Sequence, residues 1–391
     1  MRIVAALVAT VVACGAQSQP ACHVAGGENY CGSRTDFRTT LRIESQPWSA
    51  AFHQGLAALG KADYDHAISA FEQVRKSIQP LDQNDEIAAA FAANNLGSVY
   101  AKLGRYADAE PAYLQALSIL ERVLGAGDPD TGVVLSNLAS FYSKTGRDQR
   151  ATPLVRRALE IHLAVLGEDD PRVANDRNNL GAALLKEGKF ADAEPLFRRA
   201  IEIGEAMSPP HQRLPVFVSN LGATEVRLGR FREAEQLLRR ALDLQVAAKG
   251  AYSPDAAVAL GNLADLAMLR NEYGTSHTLY EQLLPMAVRS FGPSDPRTAH
   301  AVFGLAVTCH REGRLEQSEQ LFLRLTEIDA AGSINLHDRA AHLAEYATLL
   351  RQMHRSKEAK RTEALSSSLL RQDPQQAFRQ NTVGVADLAD R

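Results

Sequence analysis

Five asparagines, Asn95, Asn137, Asn179, Asn220 and Asn262, recur at intervals of 42, 42, 41 and 42 residues. Seven residues after the first four stand Lys102, Lys144, Lys186 and Arg227; the basic series breaks at Leu269 and resumes with Arg311, seven residues after Gly304. Seven residues is nearly two helical turns, so on a helix each Asn and its basic partner share one face, offset by about 20°. An Asn amide offers two donors and one acceptor, enough to hold a peptide backbone without reading its side chains. Cations beside it favour carboxylates. The same spacing also admits a plainer reading, in which Asn bonds a neighbouring helix and Lys solvates a surface. Arg156-Arg157, Arg198-Arg199 and Arg239-Arg240 are read as a solvated convex face.

Catalytic patterns are missing. The chain has no Gly-x-Gly-x-x-Gly, no phosphate loop and no His-Glu-x-x-His, and its 11 His residues form no pair at helical spacing. Asp128-Pro129-Asp130 and Asp169-Asp170-Pro171 could suggest calcium, but helix capping accounts for both. The sequence therefore reads as non-enzymatic, with no cofactor and no metal.

The elements that carry the Asn row are set by a repeat running from His53 to about Leu370. A small residue opens each unit: Gly55, Gly97, Ala139, Gly181, Gly222, Ala264, Ala306, Ala347. A second follows twelve residues on: Ala67, Ala109, Ala151, Ala193, Ala234, Ser276, Ser318, Ala359. Helices approach closely only where side chains are this small, so the spacing predicts helix pairs crossing at fixed points. Four residues later comes a bulky apolar residue, Phe71, Tyr113, Val155, Phe197, Leu238, Tyr280 or Phe322, lost only at Glu363. Asp128-Pro129, Asp170-Pro171, Ser253-Pro254 and Asp295-Pro296 each place a capping residue before a first-turn proline. Glycines such as Gly146 and Gly188 mark the turns within pairs. Trp48, the only Trp, is expected to cover the open core end, and Ser366-Ser367-Ser368 with Glu363 to form a polar capping helix. Cys309, at a core position, reads as a small buried hydrophobe.

Asn178-Asn179-Leu180-Gly181, Gly188-Lys189-Phe190, Ala193-Glu194-Pro195-Leu196 and Arg199-Ala200-Ile201 carry a family pattern. It resembles the tetratricopeptide repeat, and its 42-residue period is similar to the kinesin light chain subtype. The resemblance implies an all-α fold, a right-handed superhelical solenoid of about eight antiparallel helix pairs over residues 47–372, with the first helices lining the concave side. It also implies that Asn95, Asn137, Asn179, Asn220 and Asn262 grip an extended, acidic-flanked peptide.

Outside the repeats, Met1-Arg2, an apolar run from Ile3 to Ala13 and small residues through Ala16 resemble a bacterial signal peptide, cleaved after residue 16. Val11-Val12-Ala13-Cys14 also forms a loose lipobox, in which Cys14 would carry the lipid of a membrane-anchored lipoprotein. Cys22 and Cys31 flank a Gly-rich segment in the polar lead-in, residues 17–46, where an oxidising compartment would let them form a disulfide; two reduced thiols are the alternative. Residues 373–391 form a loosely patterned tail. With 43 Lys and Arg against 46 Asp and Glu, the net charge of -3 argues against a protein built to coat nucleic acid or an anionic membrane. Aromatics are 6% of the chain, so affinity should come from many modest contacts. The expected function is an exported scaffold holding an acidic segment of a partner protein. The alternatives are a structural spacer or self-assembling scaffold, and a regulatory subunit for a peptidase or kinase acting in trans.

Overall fold

The computed structural model describes residues 24–25, 28–29, 48–77, 83–330 and 334–372. The expected signal peptide, Cys14, the Cys22–Cys31 pair and the tail lie outside the described residues. In the lead-in, which the sequence left unstructured, β1 (Val24–Ala25) and β2 (Glu28–Asn29) pair antiparallel, Val24 opposite Asn29 and Ala25 opposite Glu28.

All other elements are helical. In chain order they are α1 (Ser49–Gly60), α2 (Tyr64–Ser77), α3 (Gln83–Lys102), α4 (Tyr106–Val123), α5 (Pro129–Lys144), α6 (Asp148–Leu166), α7 (Pro171–Lys186) and α8 (Phe190–Ala206). Then come α9 (Leu214–Arg227), α10 (Phe231–Lys249), α11 (Pro254–Leu269), α12 (Tyr273–Phe291), α13 (Pro296–Arg311), α14 (Leu315–Ala330), α15 (Leu336–Gln352) and α16 (Ser356–Gln372). These are eight pairs, and the odd-numbered first helices carry the Asn row. The chain divides into two compact units, an N-terminal one through Phe217 and a C-terminal one from Val218, the division falling inside α9.

The predicted crossings are the core of each unit. The second small residue of every pair, from Ala67 to Ala359, is at most 2% exposed. Above it lies the bulky residue of the same helix: a Cβ added at Gly97 would stand 2.9 Å from the Tyr113 ring, and one at Gly181 would stand 2.8 Å from Phe197. Where serine replaces alanine it finds a carbonyl, Ser276 Oγ donating to Ala264 O at 2.9 Å and Ser318 Oγ to Ala306 O at 2.7 Å. Boundaries also follow the sequence. Asp128, Asp170, Ser253 and Asp295 each accept from a backbone N–H of the first turn, with Pro at its start. Gly146 closes α5 at φ 72°, a left-handed conformation that Asn271 adopts at the same register with φ 59°.

The ends differ from the middle as expected. Trp48 is 5% exposed, edge-on to Phe52, and its indole N–H donates to Asp85 Oδ1 at 2.7 Å. On α16, Ser366 is buried and donates to Ala340 O at 2.7 Å, while Glu363 pairs with Arg351. Cys309 is 2% exposed, and burial raises its thiol pKa.

Candidate functional site

In the N-terminal unit the odd helices present Asn94 and Asn95 on α3, Ser136 and Asn137 on α5, and Asn178 and Asn179 on α7. Asn95 and Asn178 are buried at 2% exposure, whereas Asn137 and Asn179 are half-buried. Asn137 Nδ2 donates to Asn94 Oδ1 at 3.0 Å, joining α3 to α5, and Asn178 Nδ2 lies 3.4 Å from Asn179 Oδ1. Part of the Asn row thus bonds within the array, as the plainer reading expects. A network centred on buried Asp176 and His162 lies beneath it. Ser136 Oγ donates to the Asp176 carboxyl, whose other oxygen bonds His162 Nδ1, and His162 Nε2 donates to Pro129 O at 2.9 Å. Burial pushes Asp176 upward; burial also opposes His162 protonation, but the Asp176 bond and charge outweigh that and raise the imidazole.

The basic row is not uniform. Lys102 Nζ lies 5.8 Å from the centre of the Tyr64 ring, and desolvation lowers its pKa. Lys186 Nζ is anchored on the preceding repeat, donating to Ser143 O and Oγ, each at 2.8 Å, and to Asp148 Oδ1 at 3.1 Å. Lys144 is solvent-exposed, yet neighbouring protein and then the like charges of Lys102 and Arg213 bring its ammonium down to about 8. Like charges therefore gather on this face. Sequence reasoning missed Arg213, which sits in the α8–α9 loop, where no Asp-Pro or Ser-Pro start is present. It donates to Asn175 Oδ1 at 3.0 Å, and burial lowers its pKa to about 10. Its neighbour His211 fills the cap's place: its N–H donates to Gly204 O at 2.9 Å, and Nδ1 accepts from Arg213 N at 3.0 Å. Burial followed by the Arg213 charge lowers His211 to about 4.

In the C-terminal unit, Asn220 is half-buried and Asn262 is 8% exposed, its Nδ2 donating to Ser219 Oγ at 3.2 Å. Arg227 is half-buried, with its pKa lowered by desolvation. On the even helices the Arg pairs meet carboxylates: Arg157 with Glu121 at 2.7 Å, Arg198 with Glu194, Arg199 with Asp169 and Arg239 with Glu235, each at 2.9 Å. Asp128 and Asp170 cap helices, and burial followed by the Asp128 charge pushes Asp130 up to about 6. Among the described residues, no group of three or more His, Cys, Asp or Glu is placed to hold a metal, and no helix is long and apolar enough to cross a membrane.

Family profiles described as tetratricopeptide repeat match residues 86–162, 130–206 and 216–287, and a further one matches 271–333. The chain belongs to the tetratricopeptide-repeat family. A search of curated proteins finds no match. Among solved structures, this tetratricopeptide-repeat array is similar to the apo quorum sensor NprR from B. thuringiensis, at TM-score 0.65 and 13% identity over 85% of this chain and 91% of that one. It is also similar to BtubC (BKLC) from P. vanneervenii, at TM-score 0.51 and 18% identity over 61% and 94%. A Rap protein complexed with competence and sporulation factor matches at TM-score 0.51 and 15% identity over 87% and 90%. At these identities the likeness is one of fold.

Proposed function

We propose that this chain is an exported, non-catalytic scaffold of the kinesin light chain-like subtype, holding an extended, acidic segment of a partner protein on its first-helix face. The observation that carries the reading is the N-terminal unit's face, where half-buried Asn137 and Asn179 share the first-helix register with Lys144, an ammonium lowered by desolvation and then by the positive charges of Lys102 and Arg213. An Asn with one donor committed to the preceding repeat still has a second N–H and a carbonyl for a peptide backbone. An arriving carboxylate relieves the repulsion among the cations. Asn95, Asn220 and Asn262 and the cations Lys186 and Arg227 extend the same register. A Rap protein of this fold is complexed with competence and sporulation factor, which supports binding as a use of the fold. Export rests on residues 1–16, with lipidation at Cys14 as the alternative, and the mass of the mature N-terminus decides between them.

The test is selection from a peptide library on the full chain and on a variant carrying Asn137→Leu and Lys144→Gln. Enrichment of extended acidic peptides that the variant loses is the expected result. An unchanged selection on a variant of native helix content would overturn the reading.

A further inference from the structure

The Asn-to-cation register breaks on α11 of the C-terminal unit. Three residues after each row Asn, the face carries Ser98, Ser140, Ala182 and Ala223, all small and uncharged. On α11 the equivalent residue is Asp265, and the cation that should follow at 269 is replaced by leucine. One helix thus gains an anion where its relatives are neutral and loses the cation they carry.

The surroundings of Asp265 make this more than a charge count. Its Oδ1 accepts from the Tyr280 hydroxyl and from His300 Nε2 at 2.9 Å, while its Oδ2 is buried with no hydrogen-bond partner. One turn away on the same face, Asn262 commits its Nδ2 to Ser219, and its Oδ1 is likewise buried without a partner. Both residues are more than nine-tenths buried, at 4% and 8% exposure. Two acceptors deprived of water and of donors carry a desolvation cost that a donor ligand would recover. Positions three apart on a helix have Cβ atoms about 5–6 Å from each other. A compact ammonium, whose three protons diverge, can donate to two such acceptors at once.

We propose that the α11–α13 face of the C-terminal unit receives a primary ammonium, that of a lysine side chain, which donates to Asp265 Oδ2 and Asn262 Oδ1. The His300 side chain, 16% exposed, is the outermost member of the cluster and the group that moves aside for entry. The arginines of α13 are engaged elsewhere, Arg297 with Asp295 and Arg311 with Glu345, each at 2.8 Å. The site goes beyond the anionic-segment reading and does not depend on it: a partner can lack acidic residues and still place a lysine here.

The experiment titrates the full chain with N-acetyl-lysine methylamide and follows the His300 ring resonances by NMR. N-acetyl-norleucine methylamide serves as the uncharged control, and alanine methylamide presents an α-ammonium instead. The lysine analogue should give saturable shifts that the norleucine analogue does not. Asp265→Asn should weaken the binding about tenfold or more, and Asn262→Leu severalfold. Asn262→Leu leaves the Tyr280–Asp265–His300 contacts in place, so it tests the site even where Asp265→Asn fails to fold. Absence of saturation, equal shifts from the norleucine analogue, or unchanged affinity in a folded variant would overturn the proposal. Saturation by alanine methylamide alone would overturn the lysine side chain as the source.

Discussion

Asn137 donates its amide to Asn94 Oδ1 at 3.0 Å, tying the first helices of two consecutive repeats together on the face that the repeats present in common. Asn262 and Ser219 repeat the same register in the C-terminal unit at 3.2 Å. The row is therefore a seam between repeats before it is a ligand site. Its two roles are compatible, because each amide has more hydrogen-bonding groups than the seam uses.

The seam can be measured. Asn137→Leu leaves Asn94, itself 8% exposed, with an acceptor that has lost its donor, and should destabilise the protein by about 1–2 kcal/mol. Asn94→Ala should cost about as much. The double variant should cost clearly less than the sum, since both substitutions break one bond. Denaturant unfolding of the three proteins checks this, and strictly additive losses would show that the bond contributes nothing.

Binding of an acidic segment should weaken as pH rises from 7 to 9. Lys144, held at about 8 by desolvation and by Lys102 and Arg213, loses its proton over that range and with it the attraction to a carboxylate. A bound anion favours the charged form, so the midpoint measured in the complex should lie above the free value. Lys144→Arg keeps the charge throughout and should flatten the profile. A wild-type affinity indifferent to pH would remove Lys144 from the interface.

Legibility in the sequence followed side-chain size. The small residues from Ala67 to Ala359 and the bulky ones from Phe71 to Phe322 repeat because each crossing leaves one shape of gap, and that constraint is visible without coordinates. The Asp-Pro and Ser-Pro starts were equally plain, since capping is a local matter. What escaped was any role set by a neighbouring repeat. The doubling at Asn94-Asn95 and Asn178-Asn179 could have hinted that one asparagine serves the seam. Nothing local foretold that Lys186 would turn onto Ser143, or that the charge of Arg213, from an irregular loop, would help lower the Lys144 ammonium. The β1–β2 pairing was missed because four residues are too few for a period to register.

Gly181→Ala should destabilise the array although alanine is the better helix former by about 1 kcal/mol. The added Cβ would stand 2.8 Å from the Phe197 ring, which is fully buried and has nowhere to move. Overpacking of this kind costs about 1–3 kcal/mol, enough to outweigh propensity. Gly261→Ala is the contrast, its nearest neighbour being Leu283 Cδ2 at 3.4 Å, an ordinary contact. Thermal melts should move down for Gly181→Ala and stay level or rise for Gly261→Ala. The reverse order would refute the packing account.

Acid should weaken the N-terminal unit through His211. Its folded pKa of about 4 lies below the 6.5 of an exposed imidazole, so the unfolded chain takes up a proton that the folded one refuses. The resulting stability is complete above pH 6.5 and is lost as pH falls toward 4, a difference of the order of 3 kcal/mol for a side chain only 8% exposed. Asp130 works in the opposite sense: raised to about 6, it stabilises the fold below 3.8 and loses that contribution as pH climbs through 6. His211→Asn separates the two. Asparagine Oδ1 can accept from Arg213 N as Nδ1 does, but it does not titrate, and Asp130 is untouched. Between pH 7 and 5 the wild type should therefore lose more unfolding free energy than His211→Asn, and parallel pH profiles for the two proteins would show that His211 is protonated freely in the folded state.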